Sequence, residues 1–375
     1  MIPPGSTLGL LGGGQLGRMF TSAARTMGYE VVVLDPDPES PAGSLANRHL
    51  CAGYIDEAAL RDLGTSCAAV TTEFENVPAT ALAFLRGFCP VRPDAEAVAI
   101  TQDRIREKFF IRDHGLDTAR FHPVRNGDEL EMAWRAIGAP GLLKTSRLGY
   151  DGKGQASIES LTDLRAAYER FGGAECILEE RLTLDLEVSV VLARGADGAL
   201  VTYPVAENRH VNGILDTSVV PASVTDQLAR RARETAAAIA HAMHYVGTLG
   251  VEFFVVEGDR LLINEMAPRP HNSGHYTLDA CVTDQFEQQV RALCELPLGD
   301  PALLSPVCMV NLLGDLWSGG EPLWQRALEH PRAKLHLYGK REARPGRKMG
   351  HLNLLADRPE DALAEALAAR QRLLR

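Results

Sequence analysis

The chain has 375 residues, more than the roughly 100–200 of one domain, so two or three packed units are expected and a small stapled scaffold is excluded. Hydrophobic residues at 45% and charged residues at 23% exclude a disordered or fibrous chain. A net charge of −10 disfavours nucleic acid, while leaving room for a local cationic pocket that holds one phosphate ester.

In chain order, residues 7–35 read as a βαβ unit. A short apolar run ends at Leu11, a glycine turn follows, Leu16 to Met27 is amphipathic, and Glu30-Val-Val-Val-Leu-Asp35 is a second strand. The run Cys67 to Thr72 ends in Thr72-Glu73-Phe74-Glu75-Asn76, which sets acidic side chains at a strand's carboxyl end, where open parallel sheets bind ligands. This first domain is expected to close near residue 100. TQDRIREKFFIRDHG from Thr101 is a charged helical stretch, and residues 225–245 give the longest helix, rich in Ala and Arg. Strand-like runs at 307–313 and 333–338, a basic loop at 339–351 and a helical tail complete the chain. The seven cysteines include no Cys-x-x-Cys pair, and no run reaches the roughly 18 apolar residues of a membrane span. Free thiols, no structural zinc and a cytoplasmic location are expected.

Three segments carry chemistry. Gly12-Gly13-Gly14-Gln15-Leu16-Gly17 satisfies G-x-G-x-x-G, with Asp35 about 20 residues on, as in a nicotinamide dehydrogenase. The competing reading is a tight strand-to-helix turn with no dinucleotide. The second segment, Val251 to Glu265, reads as a hairpin turning on Gly258-Asp259, a two-residue type II′ turn. That register sets Glu252 opposite Glu265, with Cβ atoms about 4.5–5.5 Å apart, and turns Asn264 to the other face unless the strand bulges after Ile263. Paired carboxylates suit Mg²⁺ or Mn²⁺, or else splay into water on an exposed face.

The third segment puts Lys144 at the end of an apolar strand before a loop with Gly149, Tyr150, Asp151, Gly152, Lys153, Gly154 and Gln155. Glycine amides and two lysines suit a transferring phosphoryl group, although the loop is not a Walker A sequence. Taken alone, it also reads as an exposed hairpin turn. Downstream, the strand Cys176 to Leu182 leads to an irregular segment, and Glu187 opens another strand.

Together these features resemble the ATP-grasp superfamily. GGGQLGRM at 12–19, TTEFENV at 71–77, GYDGKGQ at 149–155, ENRHVNGILDTSVVPA at 207–222, NEMAPRPHNSGH at 264–275 and RPGRKMGHLN at 344–353 are similar to the 5-(carboxyamino)imidazole ribonucleotide synthetases within it. The resemblance implies a mixed α/β and α+β fold. A Rossmann-like parallel-sheet domain at 1–100 would precede an ATP-grasp domain at 101–300, with a lid subdomain at about 115–178, and a small C-terminal domain at 301–375.

It also implies MgATP-dependent carboxylation of 5-aminoimidazole ribonucleotide by bicarbonate through carboxyphosphate, in purine biosynthesis. By motif, Arg104 and Lys144 would contact ATP phosphates, residues 149–155 would cover them, and Glu179, Glu180, Arg181 and Leu182 would present hinge backbone to adenine. Glu187 would hold ribose and His210 would lie in the nucleotide site, with Glu252 and Glu265 on the metal and Asn264 beside them. Gln15, Glu73, Tyr150, Asp151, Lys153, Arg269, His271, Asn272 and Ser273 would meet the aminoimidazole ribonucleotide, and Lys340 and Arg347 its 5′-phosphate. Lys144, Lys153 and Arg269 form the expected catalytic set. A homodimer and hand-over of product to a mutase follow from the same resemblance. A formate-using or amino-acid ligase is the nearest alternative, against which HNSGH and RPGRK argue; a silent nucleotide-binding scaffold is another.

Overall fold

Three sheets organise the chain, and the structure, a computed structural model, describes residues 1–149 and 154–374. The first sheet holds β1 (Thr7–Leu11), β2 (Glu30–Leu34), β3 (Arg48–Leu50) and β4 (Ala69–Thr72), all parallel in the order β3-β2-β1-β4. Its strands are apolar throughout because both faces are covered. Leu8, Leu10, Val31 and Val33 pack against Phe20 and against Phe286, Val290 and Leu293 of the Gln285–Leu293 helix. Leu11, Val32 and Leu34 pack against Leu60, Leu63 and Leu82. A helix from far along the chain thus seals the first domain onto the next.

The second sheet, antiparallel, contains β5 (Phe121–Val124), β6 (Gly141–Thr145), β7 (Gln155–Ile158) and β8 (Cys176–Glu180) in the order β5-β8-β6-β7. Alternation divides its faces: Leu143 and Leu178 enter a small core with Leu164 and Ala167, which sends Lys144 and Glu179 to the opposite face.

The largest sheet is antiparallel. It is built from β9 (Leu186–Arg194), β10 (Leu200–Thr202), β11 (Ala206–Val211), β12 (Ile214–Val220), β13 (Gly247–Val256), β14 (Arg260–Ala267), β15 (Val307–Leu313), β16 (Ala333–Leu337) and β17 (Lys348–Leu355). Its order is β14-β13-β9-β11-β12-β15-β17-β16, with β10 beside β9, so the last three strands extend the central sheet. The Asp226–Ala242 helix, capped by Thr225, lays Leu228, Ala232, Ala236 and Ile239 on Val188, Val190, Val251 and Phe253. Each large side chain so buried contributes about 1.5–3 kcal/mol.

The β13–β14 hairpin corrects the expected turn. Val256 pairs with Arg260, so the loop has three residues, and Glu257, Gly258 and Asp259 take φ of 48°, 70° and 79°. Pairing near the loop is therefore one residue away from the register expected for a two-residue turn. A bulge between Glu252 and Phe253 restores it, so Glu252 does face Glu265.

Candidate active site

The bulge decides where Glu265 points. Leu261 and Ile263 enter the core, and strict alternation would send residue 265 after them. With Asn264 as the extra residue, Met266 takes the core position, and Glu265 joins Glu252 on the open face. Two basic side chains contact these carboxylates, and a third pairs with a carboxylate on the neighbouring strand. His271 Nε2 lies 3.1 Å from Glu252, and Arg104 Nη1 lies 3.2 Å from Glu265. His210 pairs through Nδ1 with Glu187 of β9.

Burial alone would raise the Glu252 carboxyl, but the His271 hydrogen bond and charge outweigh it and hold the group below the usual carboxylate range. Burial likewise opposes charge on His210, yet Glu187, Glu252 and Glu265 together raise its pKa. Arg269 is raised in the same way, by Glu75 first and also by Glu265. Glu265 therefore stands among Arg104, His210 and Arg269.

A second cluster lies on the lysine strand. Lys144 Nζ donates to Glu179 Oε2 at 2.8 Å, and Lys108 Nζ sits 3.8 Å from Glu179 Oε1. Burial pushes Glu179 up, but the two lysines bring it down to about 2. The Arg104–Asp113 helix delivers Arg104 here. Asp103 caps it through Ile105 and Arg106 N–H and also accepts from Ser146 Oγ, while Arg104 N–H donates to Ser146 O. Arg104 Nη2 reaches Gly149 O at 3.2 Å, and Thr145 N–H donates to Gly154 O at 2.8 Å, so both described ends of the glycine loop are anchored. Tyr150, Asp151, Gly152 and Lys153, each assigned a role by sequence, lie outside the described residues. Gln155 opens β7 opposite Lys144.

At the hinge, Glu180 N–H donates to Arg120 O and Arg181 N–H to Pro140 O, and the Glu180 carboxylate accepts from Arg120. The hinge amides left for a ligand therefore begin at Leu182.

The glycine turn overturns the dehydrogenase reading. Gly14 and Gly17 N–H, which would receive a pyrophosphate, donate instead to Glu73 Oε1 at 2.6 Å and Oε2 at 2.8 Å. Asp35, the expected ribose acceptor, takes hydrogen bonds from Gly13 N–H, Asp37 N–H and Tyr54 O–H. A Cβ on Gly12 would stand 2.5 Å from Glu73 Cγ, and one on Gly14 2.5 Å from Glu73 Oε1. The glycines make room for the protein's own carboxylate.

Other residues assigned by sequence converge near it. Lys340 Nζ donates to Gln15 Oε1 at 2.6 Å, joining positions 325 apart. Arg269 pairs with Glu75, and His271 Nδ1 meets Ser273 Oγ at 2.8 Å. Ser273 is fully buried and accepts from Ser189 Oγ, which places it behind His271 as a support. Asn272 is buried, and neither its Nδ2 nor its Oδ1 has a partner among the described residues. Such an amide asks for a ligand. The basic loop is less cationic than its composition: Arg341 pairs with Glu39, Arg344 with Glu342, and Arg347 donates to Glu342 O at 3.0 Å.

Lys108 and Glu107 were missed by sequence reading, although their spacing from Arg104 puts all three on one helical face. For a divalent cation the donor chemistry fits: two adjacent carboxylates supply hard oxygens. Among the described residues no cluster of three or more His, Cys, Asp or Glu could hold a metal alone. All seven cysteines are free, and no described helix is long and apolar enough to cross a membrane.

Comparison with known proteins agrees with this geometry. Residues 6–102 match the ribonucleotide synthetase preATP-grasp domain, 109–286 the ATP-grasp domain, and 307–365 the phosphoribosylaminoimidazole carboxylase C-terminal domain. N5-carboxyaminoimidazole ribonucleotide synthase of Brucella melitensis biotype 1 is 45% identical over 359 residues, covering 95% of this chain and 98% of that protein. A crystal structure of the ADP complex of an N5-carboxyaminoimidazole ribonucleotide synthetase superposes with a TM-score of 0.94 at 44% identity, covering 98% of this chain and 97% of that one. The Aspergillus clavatus enzyme, solved with ADP and 5-aminoimidazole ribonucleotide, gives 0.89 at 29% identity, with 98% and 99% covered.

Proposed function

Because the chain belongs to the N5-carboxyaminoimidazole ribonucleotide synthase family and is an ATP-grasp ligase, we propose that it carboxylates 5-aminoimidazole ribonucleotide with bicarbonate in purine biosynthesis, cleaving ATP to ADP and phosphate. A bicarbonate oxygen bonds to the γ-phosphorus as the bond to ADP breaks. The exocyclic amine then bonds to the carboxyl carbon of carboxyphosphate, phosphate departs and the amine releases a proton.

The observation that carries this reading is the Glu252–Glu265 pair, set in register by a bulge and faced by Arg104 and His210, with the unsatisfied amide of Asn272 next in sequence to His271, which contacts Glu252. Arg104 and Lys144 are the cations for phosphate oxygens, where negative charge grows during transfer. Glu252 and Glu265 would hold Mg²⁺ or Mn²⁺, which supplies further charge neutralisation at those oxygens. Leu182 would offer its amide to adenine and Glu187 its carboxylate to ribose.

On the acceptor side, Asn272, Arg269 and Gln15 would position the aminoimidazole ribonucleotide, with Lys340 and Arg347 for its phosphate. Glu73 already bridges two helix amides and acts there by holding Gln15's turn in place. The protein would work as a homodimer in the cytoplasm and pass its product to a mutase.

The test is phosphate release from MgATP and bicarbonate with and without 5-aminoimidazole ribonucleotide, alongside loss of the free amine. Stimulated cleavage with equal amine loss establishes the reaction. ATP binding without stimulation would keep the ligase and discard this acceptor.

A further inference from the structure

An extra residue in a strand disrupts the local ladder and leaves backbone groups to be satisfied from elsewhere. Around Asn264 they are satisfied from the Arg104–Asp113 helix and the segment 117–118. Lys108 Nζ donates to Asn264 O at 2.9 Å, to Ile263 O at 3.4 Å and to Thr118 Oγ1 at 2.7 Å. Thr118 Oγ1 donates in turn to Ile263 O at 2.7 Å, and Ile263 N–H to Asp117 O at 2.8 Å. On the far side of the bulge, Met266 N–H donates to Glu107 Oε1 at 2.6 Å. Glu107 and Lys108 are each 2% exposed, so neither side chain serves solvent.

We infer that Glu107 and Lys108, with Thr118, form a clamp that holds the bulge open and thereby positions Glu265 opposite Glu252. They are positioning residues for the metal-binding carboxylates, and the inference rests on the ligase reading of that site. Without the clamp, the hairpin's own register from Phe253 to Val256 would run on through Asn264. Glu265 would then turn toward the core and Asn264 would take its place beside Glu252. Lys108 also faces Glu179, so one side chain ties the carboxylate strand to the strand that orients Lys144.

The test compares nucleotide binding with and without a divalent cation. Wild type, Lys108→Met, Lys108→Arg and Thr118→Val are titrated with Mn²⁺–ADP, read by electron paramagnetic resonance of the bound ion, and with ADP in EDTA, read by calorimetry. Supporting residues of a metal site govern affinity by about 10–100-fold. Lys108→Met is expected to weaken Mn²⁺–ADP by at least about tenfold on that scale, with a smaller change in EDTA. Lys108→Arg recovers part of the loss. Thr118→Val keeps the side-chain shape and removes only the hydroxyl's bonds to Lys108 and Ile263 O, and it shifts Mn²⁺–ADP in the same direction by a lesser factor.

Equal losses with and without Mn²⁺, or wild-type binding of Mn²⁺–ADP by Thr118→Val, overturn the clamp. If Lys108→Met does not fold, Thr118→Val decides by the same criterion. A wild-type protein that binds ADP without preference for Mn²⁺ would overturn the metal reading, and the clamp's purpose with it, before any variant is compared.

Discussion

The glycine turn at 12–17 and the hairpin at 247–267 each gather two acidic side chains, and they use them in opposite ways. In the turn, Glu73 and Asp35 are taken up by Gly13, Gly14 and Gly17 amides, the Asp37 amide and Tyr54. In the hairpin, Glu252 and Glu265 meet the side chains of His271 and Arg104, which can exchange partners when a ligand arrives. Backbone amides cannot move aside without unwinding a helix; side chains can. A dinucleotide motif whose amides are already occupied is structural, whereas carboxylates faced by side chains remain open to chemistry.

The largest effect expected from this contrast is at Glu265. Glu265→Ala should lower metal-dependent ATP turnover by about 100-fold or more, as removal of one preorganised electrostatic group does, while the circular dichroism spectrum and Tm stay near wild type. Near-normal turnover would erase the distinction drawn between hairpin and turn. Glu73→Ala should do the reverse. It leaves two helix amides without their acceptor and costs about 1–3 kcal/mol in urea unfolding, with no NADH binding by fluorescence before or after the change. NADH binding by the wild type would restore the dehydrogenase reading.

A smaller effect sharpens the acceptor side. Arg347→Ala should raise the KM for 5-aminoimidazole ribonucleotide about tenfold, the worth of a charge-assisted hydrogen bond, with the KM for ATP nearly unchanged. Equal rises in both would move Arg347 out of the phosphate site. The smallest effect is in acid. Burial raises the Glu75 carboxyl, but Arg269 outweighs it and takes the group from 4.5 down to about 2. A depressed carboxyl adds stability that is complete above its unfolded value of 4.5 and is lost as the pH falls toward 2. The wild type should therefore lose about 1 kcal/mol from this group by pH 4. In Arg269→Met burial is opposed only by a backbone hydrogen bond and His271, so the acid loss from Glu75 should shrink, and parallel acid profiles for the two proteins would remove the pair from the account.

Much of the scaffold was legible in the residues because it rests on local periodicity. The βαβ unit, the Lys144 strand and the long Ala-rich helix are near-neighbour patterns, and the ATP-grasp family follows from motif order. The facing of Glu252 and Glu265 was also anticipated, although by a two-residue turn that the hairpin does not use. What escaped is what depends on partners distant in sequence. The bulge at Asn264 is satisfied by Lys108, some 156 positions away, and the Gly14 amide by Glu73 across 59. Ser273 reads like its neighbours in HNSGH, yet the register of β9 turns Ser189 onto it and buries it.

The contact between Gln15 and Lys340 has a consequence for how the enzyme comes into being. The two residues lie 325 positions apart, so the turn is synthesised long before the loop, and a nascent chain can build the glycine turn while still lacking the lysine that holds Gln15. The proposed acceptor side therefore stays incomplete until residue 340 has been made, whereas the Lys144–Glu179 pair needs nothing synthesised after residue 179.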